Sequence, residues 1–83
     1  MRASASGEVL KKRSISLSGH STSLALEPEF WAALDAIAAA EGVTVTILLA
    51  RIDRARGPDP LASACRLAAL RWALAKAASR EAA

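Results

Sequence analysis

The sequence has few of the residues that stabilise very small proteins through disulfides or metal sites, and few that carry out catalysis. Its 83 residues include one cysteine, Cys65, one histidine, His20, and no tyrosine. A single cysteine excludes an intrachain disulfide, and one histidine with one cysteine cannot complete a tetrahedral zinc site. No Gly-rich phosphate loop is present, and no apolar run approaches the roughly 20 residues that span a bilayer. We therefore expect no catalytic residue, no metal site, no cofactor and no membrane span.

Large apolar side chains are also scarce, because 21 of the 83 residues are alanine. A chain of this size buries only about 60% of its unfolded surface when it folds. Small domains with a thin core usually depend on disulfides, a metal or a partner chain. Since the first two are excluded, the composition predicts an obligate oligomer. The single cysteine, and the lack of an apolar stretch after Met1, favour a cytoplasmic location.

Two short segments near the N-terminus alternate between apolar and polar residues. Ile15 and Leu17 alternate with serines, and after a Gly-His break the alternation resumes through Leu24 and Leu26. Such alternation is typical of strands with one buried and one exposed face. The two segments predict either a hairpin or one long bent strand. A lone strand is not stable, so the second segment must pair, most simply with its copy in a second chain.

Three helices are predicted after the strands. Pro28 suits a first helical position, and Gly42 suits a C-terminal stop. Thr44 is the predicted N-cap of the second helix, which ends at Gly57, and Pro60 begins the third. The expected core of the dimer consists of apolar residues from the second strand and the first two helices: Leu24, Leu26, Phe30, Trp31, Leu34, Ile37, Leu48, Leu49 and Ile52.

The predicted organisation is one mainly α-helical domain with a short β-ribbon. Residues 1–11 are expected to form a disordered basic arm, and residues 12–76 the folded domain. The third helix is expected at about 59–76, followed by a frayed tail at 77–83. Cys65 lies on the apolar stripe of this helix and is interpreted as a small buried hydrophobe.

The charge pattern points to a polyanionic partner. Lys11, Lys12 and Arg13 form a basic cluster, whereas residues 21–50 carry four acids and no lysine or arginine. A basic segment beside an acidic one suggests that the N-terminal part meets a polyanion, although a solvated tail gives the same pattern. His20, at the break between the strands, is interpreted as a turn residue that could also contact a ligand.

Two further features suit nucleic acid. The outer face of the second strand carries Ser21, Ser23 and Ala25, and an antiparallel ribbon of two such strands fits the DNA major groove. At the start of the second helix, Thr44 and Thr46 lie where free backbone amides and the helix dipole attract an anion.

Several stretches resemble the ribbon-helix-helix family of transcription factors. The run SLALEPEFWAALDAIAAAEGVTVT at 23–46 is similar to the family's entry from strand to helix and its Gly-apolar-Thr break. The elements KRS at 12–14, GHSTS at 19–23, IDRARG at 52–57 and LASACR at 61–66 resemble a bacterial subfamily with an extended N-terminal strand and an added C-terminal helix. The likeness covers about residues 12–74.

The resemblance implies an intertwined homodimer that binds double-stranded DNA and regulates transcription. Two strands would form the antiparallel ribbon, with Ser21, Ser23 and Ala25 on base edges and the region of Thr44 and Thr46 on phosphate. The chain departs from the pattern at Ser21, where relatives often carry arginine. Because an Arg–guanine pair supplies about 1–3 kcal/mol of discrimination, we expect weak sequence reading.

A different class of function stays open at this point. The same fold serves antitoxins and adaptors, so the dimer could act as a protein-interaction module with weak or no DNA binding. The third helix would then either cover the core or offer a docking face through its apolar residues Leu61, Leu67, Leu70, Trp72 and Leu74. A membrane-surface role is disfavoured, because the 59–76 segment carries only three basic residues.

Overall fold

The computed structural model describes residues 10–82, which form two strands followed by three helices. The elements are β1 (Lys11–Leu17), β2 (His20–Leu26), α1 (Pro28–Glu41), α2 (Val45–Ala55) and α3 (Leu61–Ala82). The predicted fold class, mainly α-helical with a short antiparallel ribbon, is confirmed. Residues 1–9 of the expected N-terminal arm lie outside the described residues, and the arm's last residue opens β1.

The two strands pair with each other as a hairpin, in a register that runs from Leu17↔His20 to Lys11↔Leu26. Of the two arrangements that the sequence left open, the hairpin is therefore the one observed, and β2 has a partner within its own chain. Ser18 and Gly19 form the two-residue turn, with φ of 52° and 82°. Positive φ at both positions is what a type I′ turn requires, and its twist matches that of the flanking strands. The turn explains why the chain folds back instead of continuing as one bent strand.

Helix α1 begins and ends as the sequence predicts. Pro28 lies in its first turn, and Gly42 follows it with a φ of 70°. The Gly42 amide donates to the Ala39 carbonyl at 3.2 Å, and the Val43 amide donates to the Ala38 carbonyl at 3.0 Å. These two bonds satisfy carbonyls that the end of the helix would otherwise leave unpaired.

The starts of α2 and α3 differ in how well they match the sequence prediction. Thr44 caps α2 as predicted, because its Oγ1 accepts a hydrogen bond from the Ile47 amide at 3.1 Å. Helix α3 begins at Leu61, one residue after Pro60, whose carbonyl accepts the Ala64 amide at 3.0 Å.

The end of α3 corrects the sequence prediction. The helix continues past Lys76 to Ala82, where the sequence suggested a frayed tail from residue 77. Alanine, arginine and glutamate are strong helix formers, and no glycine or proline interrupts the segment. Helix propensity alone therefore accounts for the extra turns.

The core lies between the inner face of the hairpin and the helices. Leu26, Leu34, Leu49 and Cys65 are fully buried, so the interpretation of Cys65 as a buried hydrophobe agrees with its position. Of the nine residues expected in the dimer core, seven are already buried within the single chain, while Phe30 and Ile52 are partly buried against the cluster. The buried residues also include five outside that set: Ile15, Leu17, Ala38, Cys65 and Ala69.

Within residues 10–82 no single helix has the length and apolar character to cross a membrane. Helices α1 and α2 meet those criteria only as a pair, and the pair is bent by 102°.

Candidate nucleic-acid interface

The outer face of the hairpin carries mostly small side chains and no acidic ones. The register places Lys12 opposite Ala25, Ser14 opposite Ser23, and Ser16 opposite Ser21 on this face. All six residues are exposed except Ala25, which is half-buried. We call this six-residue surface the outer face: Lys12, Ser14, Ser16, Ser21, Ser23 and Ala25. It offers four hydroxyl groups and one positive charge to a ligand.

The three basic residues of the predicted phosphate-binding cluster do not share a face. Because side chains alternate along a strand, Lys12 belongs to the outer face, while Lys11 and Arg13 belong to the inner one with Ile15 and Leu17. Lys11 is exposed and Arg13 is half-exposed. The structure thus separates side chains that the sequence suggested would act together.

Arg13 is engaged within the fold. Its guanidinium makes two hydrogen bonds of 3.0 Å to the carboxylate of Asp35 on α1, and it stacks over the Trp31 ring at 4.3 Å from the centroid. The hydrogen bond to Asp35 raises the pKa of Arg13 above its ordinary value. A bidentate pair gives arginine two charge-assisted hydrogen bonds in a fixed geometry, and stacking on an aromatic face adds to them. Arg13 therefore joins the ribbon to α1 and is not free on the outer face.

Trp31 strengthens the same junction. Its ring is buried, and its Nε1 donates a 2.8 Å hydrogen bond to the backbone carbonyl of Lys11. The indole therefore holds the start of β1 against α1, although the two residues are 20 positions apart in the chain. This bond joins β1 to α1, in addition to the packing of β1 against α2 and of β2 against α3.

His20 lies on the inner face, at the first position of β2 beside the turn. It pairs with Leu17 in the register and is exposed. The structure thus places His20 next to the turn but not among the outward-facing residues Ser21, Ser23 and Ala25.

The hairpin leaves one unpaired edge on each strand. Paired residues in an antiparallel ladder alternate between exchanging hydrogen bonds with each other and directing their amides and carbonyls away. The pair that closes a two-residue turn is hydrogen-bonded, so the backbone groups of Ser21, Ser23 and Ala25 are directed toward the open edge of β2. Those of Lys12, Ser14 and Ser16 are directed toward the open edge of β1 in the same way.

The predicted anion site at the start of α2 keeps two free amides. Thr44 Oγ1 takes the Ile47 amide, and the Thr44 carbonyl accepts the Leu48 amide at 3.1 Å. The Val45 and Thr46 amides precede the first intrahelical donor and have no partner within the helix. Thr44 and Thr46 are both exposed, so an anion could reach the positive end of the helix dipole here.

Ion pairs neutralise most acidic side chains of the described chain. Besides Asp35, the carboxylates of Glu27, Glu41 and Asp53 pair with arginines at 2.8, 2.9 and 2.7 Å respectively. The pKa of Glu27 is lowered, first by a hydrogen bond from its own backbone amide and then by Arg66. Because these pairs are mostly exposed, each contributes little to stability. They do leave the described surface with unpaired cations such as Lys12, Arg54 and Arg71.

Sequence reasoning did not assign a functional role to two outward-facing residues of β1. Ser14 and Ser16 are exposed and lie directly beside Ser23 and Ser21. The alternation of β1 identified their face, but only the pairing of β1 with β2 places that face next to the residues expected to read DNA. The missing information was the register, which two period-two patterns alone do not provide.

Two further observations concern the metal-binding side chains of the described residues and the single cysteine. Within residues 10–82 no three histidine, cysteine, aspartate or glutamate side chains come together to hold a metal ion. The Cys65 thiol is fully buried, and desolvation raises its pKa to about 11. Since the thiolate is the reactive form, Cys65 is an inert group at neutral pH.

The buried thiol gives a pH-dependent prediction. A thiol whose pKa rises from 9.0 to about 11 on folding stabilises the fold fully below pH 9, and this contribution is lost as the pH rises toward 11. We expect the free energy of unfolding, measured in urea from pH 8 to 11, to fall more steeply for the wild type than for Cys65→Ala. Equal slopes for the two proteins would contradict the burial of the thiol.

Comparisons with known proteins matched this chain to a family profile and to a solved structure. The profile described as a ribbon-helix-helix domain matches residues 10–73. The matched range covers both strands, helices α1 and α2, and the first part of α3. A solved structure, that of an uncharacterized protein from Bordetella pertussis Tohama I, is 32% identical, with a TM-score of 0.76. The match covers 95% of this chain and 67% of that chain. The comparison with curated proteins gives no match.

Proposed function

The chain belongs to the ribbon-helix-helix family, and from this premise we propose that it is a homodimeric DNA-binding protein that regulates transcription. Members of this family are typically dimers that bind DNA and have no enzymatic activity. The observation that carries the proposal is the outer face of the hairpin. It has hydroxyl groups and a lysine, it has no carboxylate, and it lies beside an open strand edge. As a DNA-binding regulator, the protein would work in the cytoplasm, at the nucleoid.

The open edge of β2 is the better candidate for pairing with a second chain. Its outward backbone groups belong to Ser21, Ser23 and Ala25, which are small and uncharged. The open edge of β1 includes Lys12, and a lysine on an edge strand opposes strand addition. Two copies of β2 overlap fully only when Ser23 faces its own copy across a two-fold axis. The ribbon that enters the groove would then consist of β2 and its symmetry mate.

This arrangement assigns a role to each outward side chain of β2. The hydroxyls of Ser21 and Ser23 can donate or accept at several base edges, while Ala25 offers at most contact with a thymine methyl. None of the three makes the bidentate bond that arginine makes with guanine. We therefore expect base reading to be weak and phosphate contacts to supply most of the affinity.

Phosphate contacts would come from charges and amides that the fold leaves available. Lys12 is on the outer face, Lys11 is exposed beside it, and the free amides at Val45 and Thr46 lie at the start of α2. Arg13 is occupied by Asp35 and Trp31. The basic cluster thus contributes mainly Lys12 from each chain, assisted by Lys11.

Cysteine cross-linking tests the pairing of the two β2 strands. Hydrogen-bonded antiparallel neighbours have Cα atoms about 5.5 Å apart, which lies within the range that a disulfide bridges. In a Cys65→Ala background, mild oxidation of Ser23→Cys is expected to give a covalent dimer. Ser14→Cys, opposite Ser23 within the hairpin, is the matched control and should remain a monomer on a denaturing gel. The reverse result would show that β1 forms the interface instead.

A salt titration of duplex binding tests the DNA-binding role. The slope of log affinity against log salt becomes shallower by about 0.9 for each phosphate that the protein no longer neutralises, so Lys12→Ala should flatten it by about 1.8 in a dimer. Arg13→Ala is the matched control, because its guanidinium is held by Asp35. It should leave the slope nearly unchanged while lowering thermal stability. Absence of any salt-sensitive retardation of duplexes by the wild type would refute the proposal.

A protein-interaction module is the second candidate, and one observation favours it. Leu67, Leu70 and Leu74 on α3 are 41%, 50% and 60% exposed and form a stripe along the helix. The stripe begins at a groove of about 230 Å³ that Ile52 and Leu67 line between α2 and α3. Under this alternative, Leu70→Asp would abolish capture of a protein partner while leaving duplex retardation at the wild-type level.

A further inference from the structure

Strand β1 takes no part in the ribbon of two β2 strands, yet it shares a surface with that ribbon. Its outward residues Lys12, Ser14 and Ser16 lie on the outer face with those of β2. In a dimer paired through β2, each β1 strand therefore flanks the central ribbon, and the sheet has four strands in the order β1, β2, β2 and β1. The site on DNA is then wider than a two-stranded ribbon, and it is incomplete without the second copy.

The width of this sheet decides what β1 can reach. Neighbouring strands lie about 4.8 Å apart, so the two outermost strands of a four-stranded sheet are about 14 Å apart. The major groove is about 12 Å wide. The central β2 strands fit between the groove walls, whereas the β1 strands lie over the walls themselves, which are the phosphate backbones.

We propose that the outward face of β1 is a phosphate-contacting rim made of Lys12, Ser14 and Ser16; this rests on the proposed dimeric DNA-binding function. Serine hydroxyls donate hydrogen bonds to phosphate oxygens without reading sequence, and Lys12 adds a positive charge. No carboxylate on the outer face repels the backbone. Each duplex would meet two such rims, one along each wall of the groove.

The rim and the ribbon make different contributions to binding. Ser21 and Ser23 face base edges, so changes there alter which sequences bind. Ser14 and Ser16 face phosphates, so changes there alter the affinity for every sequence by the same factor. This difference separates β1 from β2 experimentally, although Ser16 and Ser21 are direct neighbours on one surface.

Arginine substitutions test the rim against the ribbon. Ser16→Arg is expected to raise the affinity for all duplexes alike at low salt and to steepen the salt slope by about 1.8 per dimer. This corresponds to roughly a tenfold greater loss of affinity between 50 and 200 mM salt. Ser21→Arg should instead create a preference for guanine-containing duplexes of roughly 5- to 150-fold. Ala40→Arg, on the exposed side of α1, adds the same charge away from the sheet. It should change neither the salt slope nor the preference for guanine-containing duplexes.

The outcomes separate this proposal from the one on which it rests. If the wild type and Ser21→Arg bind duplexes but Ser16→Arg behaves like Ala40→Arg, the rim is overturned and the DNA-binding function stands. A sequence preference created by Ser16→Arg would place β1 inside the groove and would also overturn the rim. If neither the wild type nor any variant retards a duplex at low salt, both proposals fail. Thermal denaturation of each variant confirms that the fold is intact.

Discussion

Replacing Trp31 with alanine is expected to lower the free energy of unfolding by about 3–5 kcal/mol. A folded chain of 83 residues has about 4–12 kcal/mol in total, so a large share of that stability would disappear with one side chain. Three interactions are removed together: the packing of the buried ring, the hydrogen bond from Nε1 to the Lys11 carbonyl, and the stacking surface under Arg13. Of the contacts described between the hairpin and α1, only the Arg13–Asp35 pair would remain.

Two matched variants divide this effect into its parts. Trp31→Phe keeps most of the ring but removes the donor to the Lys11 carbonyl, and we expect it to cost about 1 kcal/mol from that hydrogen bond in addition to the lost ring volume. Trp72→Ala removes an indole that is only partly buried and should cost less than Trp31→Ala. Urea denaturation followed by circular dichroism measures all three. Equal costs for Trp31→Ala and Trp72→Ala would contradict the anchoring role of Trp31.

Replacing Leu34 with alanine is expected to cost about 2–5 kcal/mol. Its side chain is fully buried on α1 within the hydrophobic core, so truncation leaves a cavity that the surrounding residues fill only in part. Thermal unfolding should report this cost as a fall of at least about 8 °C, since each kcal/mol shifts the midpoint by about 4–8 °C in a domain of this size.

Leu74→Ala is the matched control for Leu34→Ala. This side chain is 60% exposed on α3, so its truncation should change stability by less than about 0.5 kcal/mol. The comparison also tests whether the exposed stripe of Leu67, Leu70 and Leu74 on α3 is buried between two chains. A cost for Leu74→Ala close to that for Leu34→Ala, growing with protein concentration, would show that the stripe is buried between chains. In that case the β2 edge would not be the whole of the dimer interface.

The hairpin shows where sequence reasoning reached its limit on the fold. The alternation at Ile15 and Leu17 and at Leu24 and Leu26 correctly identified two strands and their buried faces, because side-chain period is a local property. The partner of each strand is a non-local property. A chain with a thin core favoured pairing between copies, but Ser18 and Gly19 adopt positive φ and close the hairpin within the chain.

The candidate site shows the same division. Ser21, Ser23 and Ala25 lie on the outer face, where their spacing placed them, and Thr44 caps its helix as its residue type predicts. The run of basic residues at 11–13 suggested one basic patch. A strand distributes consecutive side chains to opposite faces, so only Lys12 lies with the serines.

The sequence by itself therefore determined which stabilising cross-links are excluded and where the strands and helices lie. One cysteine and one histidine excluded an intrachain disulfide and a zinc site, and the scarcity of large apolar side chains predicted a partner chain. Periodicity and capping residues located two strands and three helices. The tertiary structure alone decided that Arg13 stacks on Trp31 and pairs with Asp35, since these residues are brought together by the packing of the hairpin on α1. It also decided that Ser14 and Ser16 extend the outer face. Contacts between distant segments depend on register and packing, and neither is written in the pattern of any one segment.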